Sequence, residues 1–299
     1  MDAFWIILTG ALVAATCGLL GCFLLLRKMT MVGDAISHAV LPGIVLAYLV
    51  AHTRASLPML IGAAIFGVLT TIIIEILNKK GKLQIDAAIG VAFTWLFAIG
   101  VILVSAFADK VDLDQECVLY GEIAYVPLNT WIVNGQNMGP QTVWILSINF
   151  VIILLYIILG YRGLQLTSFD PLFAATLGIA TSFWHYSLMS AVSLTTVLSF
   201  ESVGAIMVVA FLVGPPAIAY MLTDNLPKML LLSVLSGILA AIGGYFLSSW
   251  VNGSIAGAMV SCIGLEFIIA LLIKKGKEKT SMEDAAHHIR EAGFSKHSP

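Results

Sequence analysis

The chain has 299 residues, of which 60% are hydrophobic and 11% charged, with a net charge of -2 and a mean hydropathy of +0.99. Soluble domains carry about 25% charged residues, so 15 basic and 17 acidic side chains cannot furnish a polar surface for a chain of this size. An ordinary soluble domain is excluded, and a charge this small gives no footprint for nucleic acid or for a strongly charged substrate.

A helix crosses a hydrocarbon core about 30 Å thick with roughly 20 apolar residues. Runs that meet this requirement predict an all-α, polytopic membrane protein with spans at 4–26, 35–51, 57–77, 87–108, 143–159, 229–251 and 255–273, and a long apolar stretch at 180–222. The last is too long for one span and is expected to break at Ser199-Phe200-Glu201-Ser202, which gives nine helices, or eight if the break is only a kink. The first run lacks the basic start and small-residue cleavage site of a signal peptide, so it is read as a helix of the mature protein. Cys17, Cys22, Cys117 and Cys262 show no CxxC spacing and imply neither a disulfide framework nor a structural zinc site.

Basic residues near span ends stay in the cytoplasm. Arg27-Lys28, Lys79-Lys80-Lys82, Arg162, Lys228 and Lys274-Lys275-Lys277-Lys279 fall on one side of the nine-helix count, against Arg54 and Lys110 on the other. The amino terminus is therefore expected outside, and the polar tail, residues 275–299 after a transmembrane domain at 1–274, inside. The longest outer connection, 109–141, opens with Asp109, Asp112, Asp114 and Glu116 and continues with Tyr125, Pro127 and Trp131. It suits an interfacial segment, a partner dock or a solvated loop. In the tail, His287, His288 and His297 have no ligand framework around them and read as solvated.

Three local features carry chemistry. In Gly33-Asp34-Ala35-Ile36-Ser37-His38-Ala39-Val40-Leu41-Pro42-Gly43, Asp34 and His38 are four residues apart. On a helix that spacing sets a carboxylate and an imidazole on one face, one turn apart. Pro42 donates no hydrogen bond to the His38 carbonyl and loosens the same turn. Ionisable residues in spans are functional by default, and a metal site and a proton relay are both open at this point, beside a plain cap and interhelical bond. Glu201 is an isolated carboxylate in the 180–222 stretch; if its break is buried, it can join Asp34 and His38 in a hard, oxygen-rich site suited to manganese. Glu75 and Lys79 read as a helix-end ion pair, and Glu266, His185 and His52 as structural.

The third feature is Thr167-Ser168-Phe169-Asp170-Pro171-Leu172-Phe173-Ala174-Ala175-Thr176-Leu177-Gly178. Asp at a cap, Pro at the first helical position and Gly at the end predict a helix of about two turns, too short to span. Such a helix on the cytoplasmic face presses into a groove of a soluble partner or serves as a connector. No GxxxxGK[ST] loop, HExxH or GxSxG occurs in the chain, so it is not expected to hydrolyse ATP or to be an enzyme of those types.

Gly33 to Gly43, Thr167 to Gly178 and Ser199-Phe200-Glu201-Ser202-Val203-Gly204-Ala205, continuing to Thr223, together resemble the permeases of manganese, zinc and iron ABC importers over nearly the whole chain. The resemblance implies a homodimer with two cytoplasmic ATPase subunits and an extracellular metal-binding protein in a bacterial plasma membrane, working by alternating access. It implies a metal path through Asp34 and His38, a coupling helix at 169–178 with Asp170, Pro171, Phe173 and Gly178, and, from Glu201, the manganese branch more than the zinc branch, with a zinc or iron importer of the same family as the alternative. No permanently bound cofactor is implied; ATP acts through the partner subunits. A proton-coupled secondary transporter or channel is the alternative of a different class.

Overall fold

The computed structural model describes residues 2–51, 56–107, 123–133 and 136–294, without side-chain detail at 56–57, 132–133, 136–138, 201 and 277–294. Asp109, Asp112, Asp114, Glu116, Cys117, His52 and His297 lie outside the described residues.

The chain folds as helices α1 (Asp2–Leu26), α2 (Val32–Ala39), α3 (Leu41–Ala51), α4 (Ser56–Lys79), α5 (Ile85–Ala106), α6 (Gln141–Phe169), α7 (Pro171–Thr176), α8 (Thr181–Val203), α9 (Ala205–Leu222), α10 (Leu226–Val251) and α11 (Ile255–Phe294). A 3-10 turn (Ile123–Leu128) and a hairpin of β1 (Thr130–Val133) and β2 (Gln136–Pro140) precede α6. The hairpin is antiparallel, with Val133 paired to Gln136.

Helix α1 is the axis of the bundle. It is apolar on every side, as a helix enclosed by others must be, and it packs against α6, α8, α9 and α10. Its Val13, Cys17, Leu20, Phe23 and Leu24 are fully buried, as is Phe211 of α9. A second group, α2 to α5, leans on this core through α4 and α2 against α8. Between spans there is no hydrophobic force beyond what lipid offers, so close packing decides contact. At Gly43 of α3 an added Cβ would meet the Gly62 backbone of α4 at 2.5 Å. Large apolar side chains such as Trp95, Ile102, Ile158, Leu159 and Trp250 face outward, a surface that lipid covers.

Among the described residues, eight spans are long and apolar enough to cross a membrane, with α2 and α3 counted as one, Val32–Ala51. Helix α8 has the length to cross at 23 residues, but its serines, threonines, His185 and Glu201 keep it below that apolar standard. The protein is therefore a multi-pass membrane protein of the all-α class, its spans all helical.

Several boundaries differ from the apolar runs for physical reasons. The second span begins at Val32 rather than 35, which puts Asp34 inside the helix. Helix α6 extends to Phe169, ten residues past its apolar run; at about 1.5 Å per residue it projects beyond the bilayer core and ends where Asp170 caps the next helix. The break in 180–222 falls at Gly204, φ +78°, ψ +165°, and not within 199–202. Only glycine adopts that backbone region without strain. Ser202, Val203 and Ala205 around it are buried, so the break is enclosed by protein.

Candidate metal site

Asp34 and His38 sit on successive turns of α2, with Asp34 Oδ1 3.6 Å from His38 Nε2. Asp34 makes no capping hydrogen bond: α2 starts two residues earlier with Met31 at its cap. The cap reading is thereby replaced by a carboxylate facing an imidazole. The His38 ring lies against Phe93 and Phe97 of α5, with centroids 5.6 and 5.8 Å away, which restrains it on the Asp34 side. Ser37 turns inward and its Oγ donates to the Asp34 carbonyl at 2.6 Å. The helix is interrupted at Val40, where Pro42 was expected to loosen it, and resumes at Leu41.

This pair is not enclosed by its own chain: the His38 and Asp34 side chains are 31% and 43% exposed. Among the described residues no group of three or more His, Cys, Asp or Glu side chains converges. The backbone of Glu201 lies in the last turn of α8, just before Gly204, and α8 packs on α2; its side chain is outside the described residues.

The short helix of the third motif forms as α7. Asp170 Oδ1 accepts from the Phe173 amide at 2.9 Å and Pro171 occupies the first turn. Gly178 follows at φ +78° and ends it. Phe169, Leu172, Phe173 and Leu177 are exposed, an apolar face on a helix too short to bury it alone.

A second polar cluster lies where the ends of α1, α4 and α6 meet the start of α8. Arg27 Nε donates to Ser168 Oγ at 3.0 Å and an Arg27 Nη donates to Thr167 Oγ1 at 2.8 Å. The other Nη is 3.5 Å from His185 Nδ1, and His185 Nε2 is 3.9 Å from Glu75 Oε2. Glu75 is buried and pairs with Lys79 as expected. Burial lowers the Arg27 guanidinium to about 10, which leaves it charged at neutral pH. His185 thus has partners that no local pattern announced, because they come from 158 and 110 residues away. Glu266 also has one, Ser236 Oγ of α10.

Residues 3–274 match the ABC 3 transport family. The chain belongs to that family. It is 51% identical over 90% of both chains to the manganese transport system membrane protein MntD of Bacillus subtilis. It is 41% identical to the zinc transport system membrane protein TroD of Treponema pallidum, over 89% of this chain and 72% of that one. Among solved structures, PsaBC from Streptococcus pneumoniae in complex with Fab matches 89% of each chain at a TM-score of 0.73 and 32% identity. This member of the ABC 3 transport family is thus a membrane-spanning transport subunit, as the three ordered motifs had implied.

Proposed function

We propose that the chain is the permease subunit of an ATP-driven importer that carries a divalent cation, manganese in preference to zinc or iron, into a bacterial cell. The observation that carries the reading is the 51% identity, over 90% of both chains, to a manganese permease. The site chemistry agrees with it. A carboxylate and an imidazole 3.6 Å apart offer one hard oxygen and one nitrogen, and an additional carboxylate from Glu201 tilts the set toward a hard ion. Among the described residues Cys17 and Cys22 are buried in the core and no cysteine joins a cluster with the pair.

Two donors on a half-exposed face do not complete a coordination shell, and a second copy of the chain against α2 and α5 supplies the missing wall. The working assembly is then a homodimer with a cytoplasmic ATPase on each α7 and an extracellular metal-binding protein. Its spanning domain is residues 1–274 and its cytoplasmic tail 275–299. The metal enters from the binding protein, rests on Asp34, His38 and Glu201, and leaves inward when ATP-driven closure of the partners shifts α7. No bond is made or broken in the cargo.

The test is manganese uptake into proteoliposomes that hold this subunit with its ATPase, with and without ATP. Uptake that needs ATP is expected. Uptake driven by a proton gradient without ATP would make the chain a secondary transporter, with Asp34 and His38 as its relay.

A further inference from the structure

The polar cluster around Arg27 has a position that the metal site does not explain. Helix α7 rests mainly on the elements that flank it in the chain, α6 and α8. A displacement of α7 therefore reaches the rest of the bundle through the end of α6 and the start of α8. Arg27 holds both: Thr167 and Ser168 are the last residues of α6 before Phe169, and His185 is in the first turns of α8. A cavity of about 370 Å³ bounded by Arg27, Ser168, Pro171, Thr181 and His185 separates the root of α7 from the bundle. Beside the apolar contact of Trp184 of α8 with Gly160 and Gly163 of α6, the Arg27 hydrogen bonds tie this region to the end of α1.

On its other side Arg27 leads into α2. It follows the last residue of α1, and only Lys28 to Met31 separate it from Val32. That turn is tied by its own backbone, Met29 N–H to Leu24 O at 3.0 Å and Val32 N–H to Met29 O at 3.2 Å, and Lys28 is left-handed at φ +57°. Val32 is fully buried, so the turn cannot swing without carrying the start of α2. Asp34 lies two residues further on.

The chemistry of the cluster defines its direction. A guanidinium has donors only, so His185 accepts at Nδ1 and carries its hydrogen on Nε2, the nitrogen that faces Glu75. The neutral imidazole thus accepts from Arg27 and faces Glu75 Oε2 at 3.9 Å without a hydrogen bond to it. A planar fork with several donors holds such acceptors in fixed relation, which a lysine ammonium does not. Among the described residues Arg27 bonds two hydroxyls and an imidazole and no carboxylate, so these bonds can be exchanged as the helices shift without separating an ion pair.

We propose that Arg27 is a positioning residue that links the ATPase-docking helix α7 to α2, transmitting movement of α7 to Asp34 and His38. The proposal rests on the reading of α7 as the ATPase contact. Arg27 does not touch the cargo; it acts through Thr167, Ser168 and His185.

The experiment uses the whole complex of this chain and its ATPase, with three measurements on each variant: copurification of the ATPase, ATP hydrolysis, and manganese uptake per ATP hydrolysed. Arg27→Gln is expected to retain the ATPase and hydrolysis while uptake per ATP falls at least tenfold, and Arg27→Lys to fall between the two. Normal uptake per ATP in Arg27→Gln overturns the proposal. If Arg27→Gln does not assemble, the double variant Thr167→Val with Ser168→Ala, which removes the two hydroxyl acceptors at the end of α6 and keeps Arg27 and His185, decides: the same uncoupling supports the link and normal uptake per ATP overturns it. Phe173→Asp separates this proposal from its premise. If it leaves the ATPase bound and uptake normal, α7 is not the contact and both ideas fall; if it releases the ATPase while Arg27→Gln behaves normally, only the Arg27 link falls.

Discussion

Among the described residues, Asp34 has one ionisable partner, His38 at 3.6 Å, and the proposed metal path runs through that pair. Manganese favours an octahedral shell of oxygen donors, so a site built on so few protein ligands has little reserve. Asp34→Asn keeps the volume and removes the charge; manganese uptake should drop more than about tenfold, equivalent to ~1.4 kcal/mol, with the complex still assembled by gel filtration. Uptake at the original rate would take Asp34 out of the path. Glu201 tests the nature of the ion rather than the existence of the site. Glu201→Gln leaves a nitrogen and one carboxylate, which zinc accepts with four ligands and manganese accepts poorly. The variant should lose manganese transport while zinc binding, followed by calorimetry on the same preparation, persists; equal retention of both removes Glu201 from the site.

The elements differ in how far local sequence specifies them. Helix α7 was legible in full, because Asp170, Pro171 and Gly178 act on their own backbone: a cap at 2.9 Å, a preset first turn and a left-handed stop. That Asp34 and His38 share one helix face was legible for the same reason, since four residues along a helix is one turn. Phe173→Asp, with a charge on the exposed apolar face of α7, should release the ATPase on copurification, a loss beyond about 1 kcal/mol for an apolar anchor. The break between α8 and α9 was legible only approximately. The polar Ser199 to Ser202 segment drew the break toward itself, whereas those residues stay helical and Gly204 alone has the backbone freedom to turn. Gly204→Ala should therefore destabilise the protein by about 1–3 kcal/mol, seen as a lower Tm in detergent, and an unchanged Tm would show that the turn tolerates a side chain. The Arg27 cluster was not legible at all. Its acceptors are 140 to 158 residues away, and neither periodicity nor spacing reports which helices the bundle brings together.

At the scale of the molecule, the helix count decides the sidedness, and α8 is the element on which the count turns. If α8 crosses, the described helices make nine passes; under either count Arg27, Lys79, Thr167, Ser168 and Thr181, which all come before α8 is traversed, belong on one side. The structure gathers those residues at one end of the bundle, around shared cavities. A helix that failed to cross would leave Thr181 and Val203 on the same face and bring α9 back from the wrong side. With Lys and Arg retained in the cytoplasm, that shared end is expected to be the inner one, and the 3-10 turn (Ile123–Leu128) and the hairpin are expected outside. In a variant with Cys17, Cys22, Cys117 and Cys262 replaced, Asn129→Cys should react in intact cells with a thiol reagent that cannot cross membranes. Lys80→Cys, exposed at the basic end, should react only after the cells are permeabilised. Asp224→Cys, in the exposed connection after α9, discriminates between the counts, since nine passes put it with Lys80 and eight put it with Asn129. Labelling of Asp224→Cys in intact cells would reduce α8 to a helix that enters and returns, and α7 would then have to be assigned a side independently of the tail.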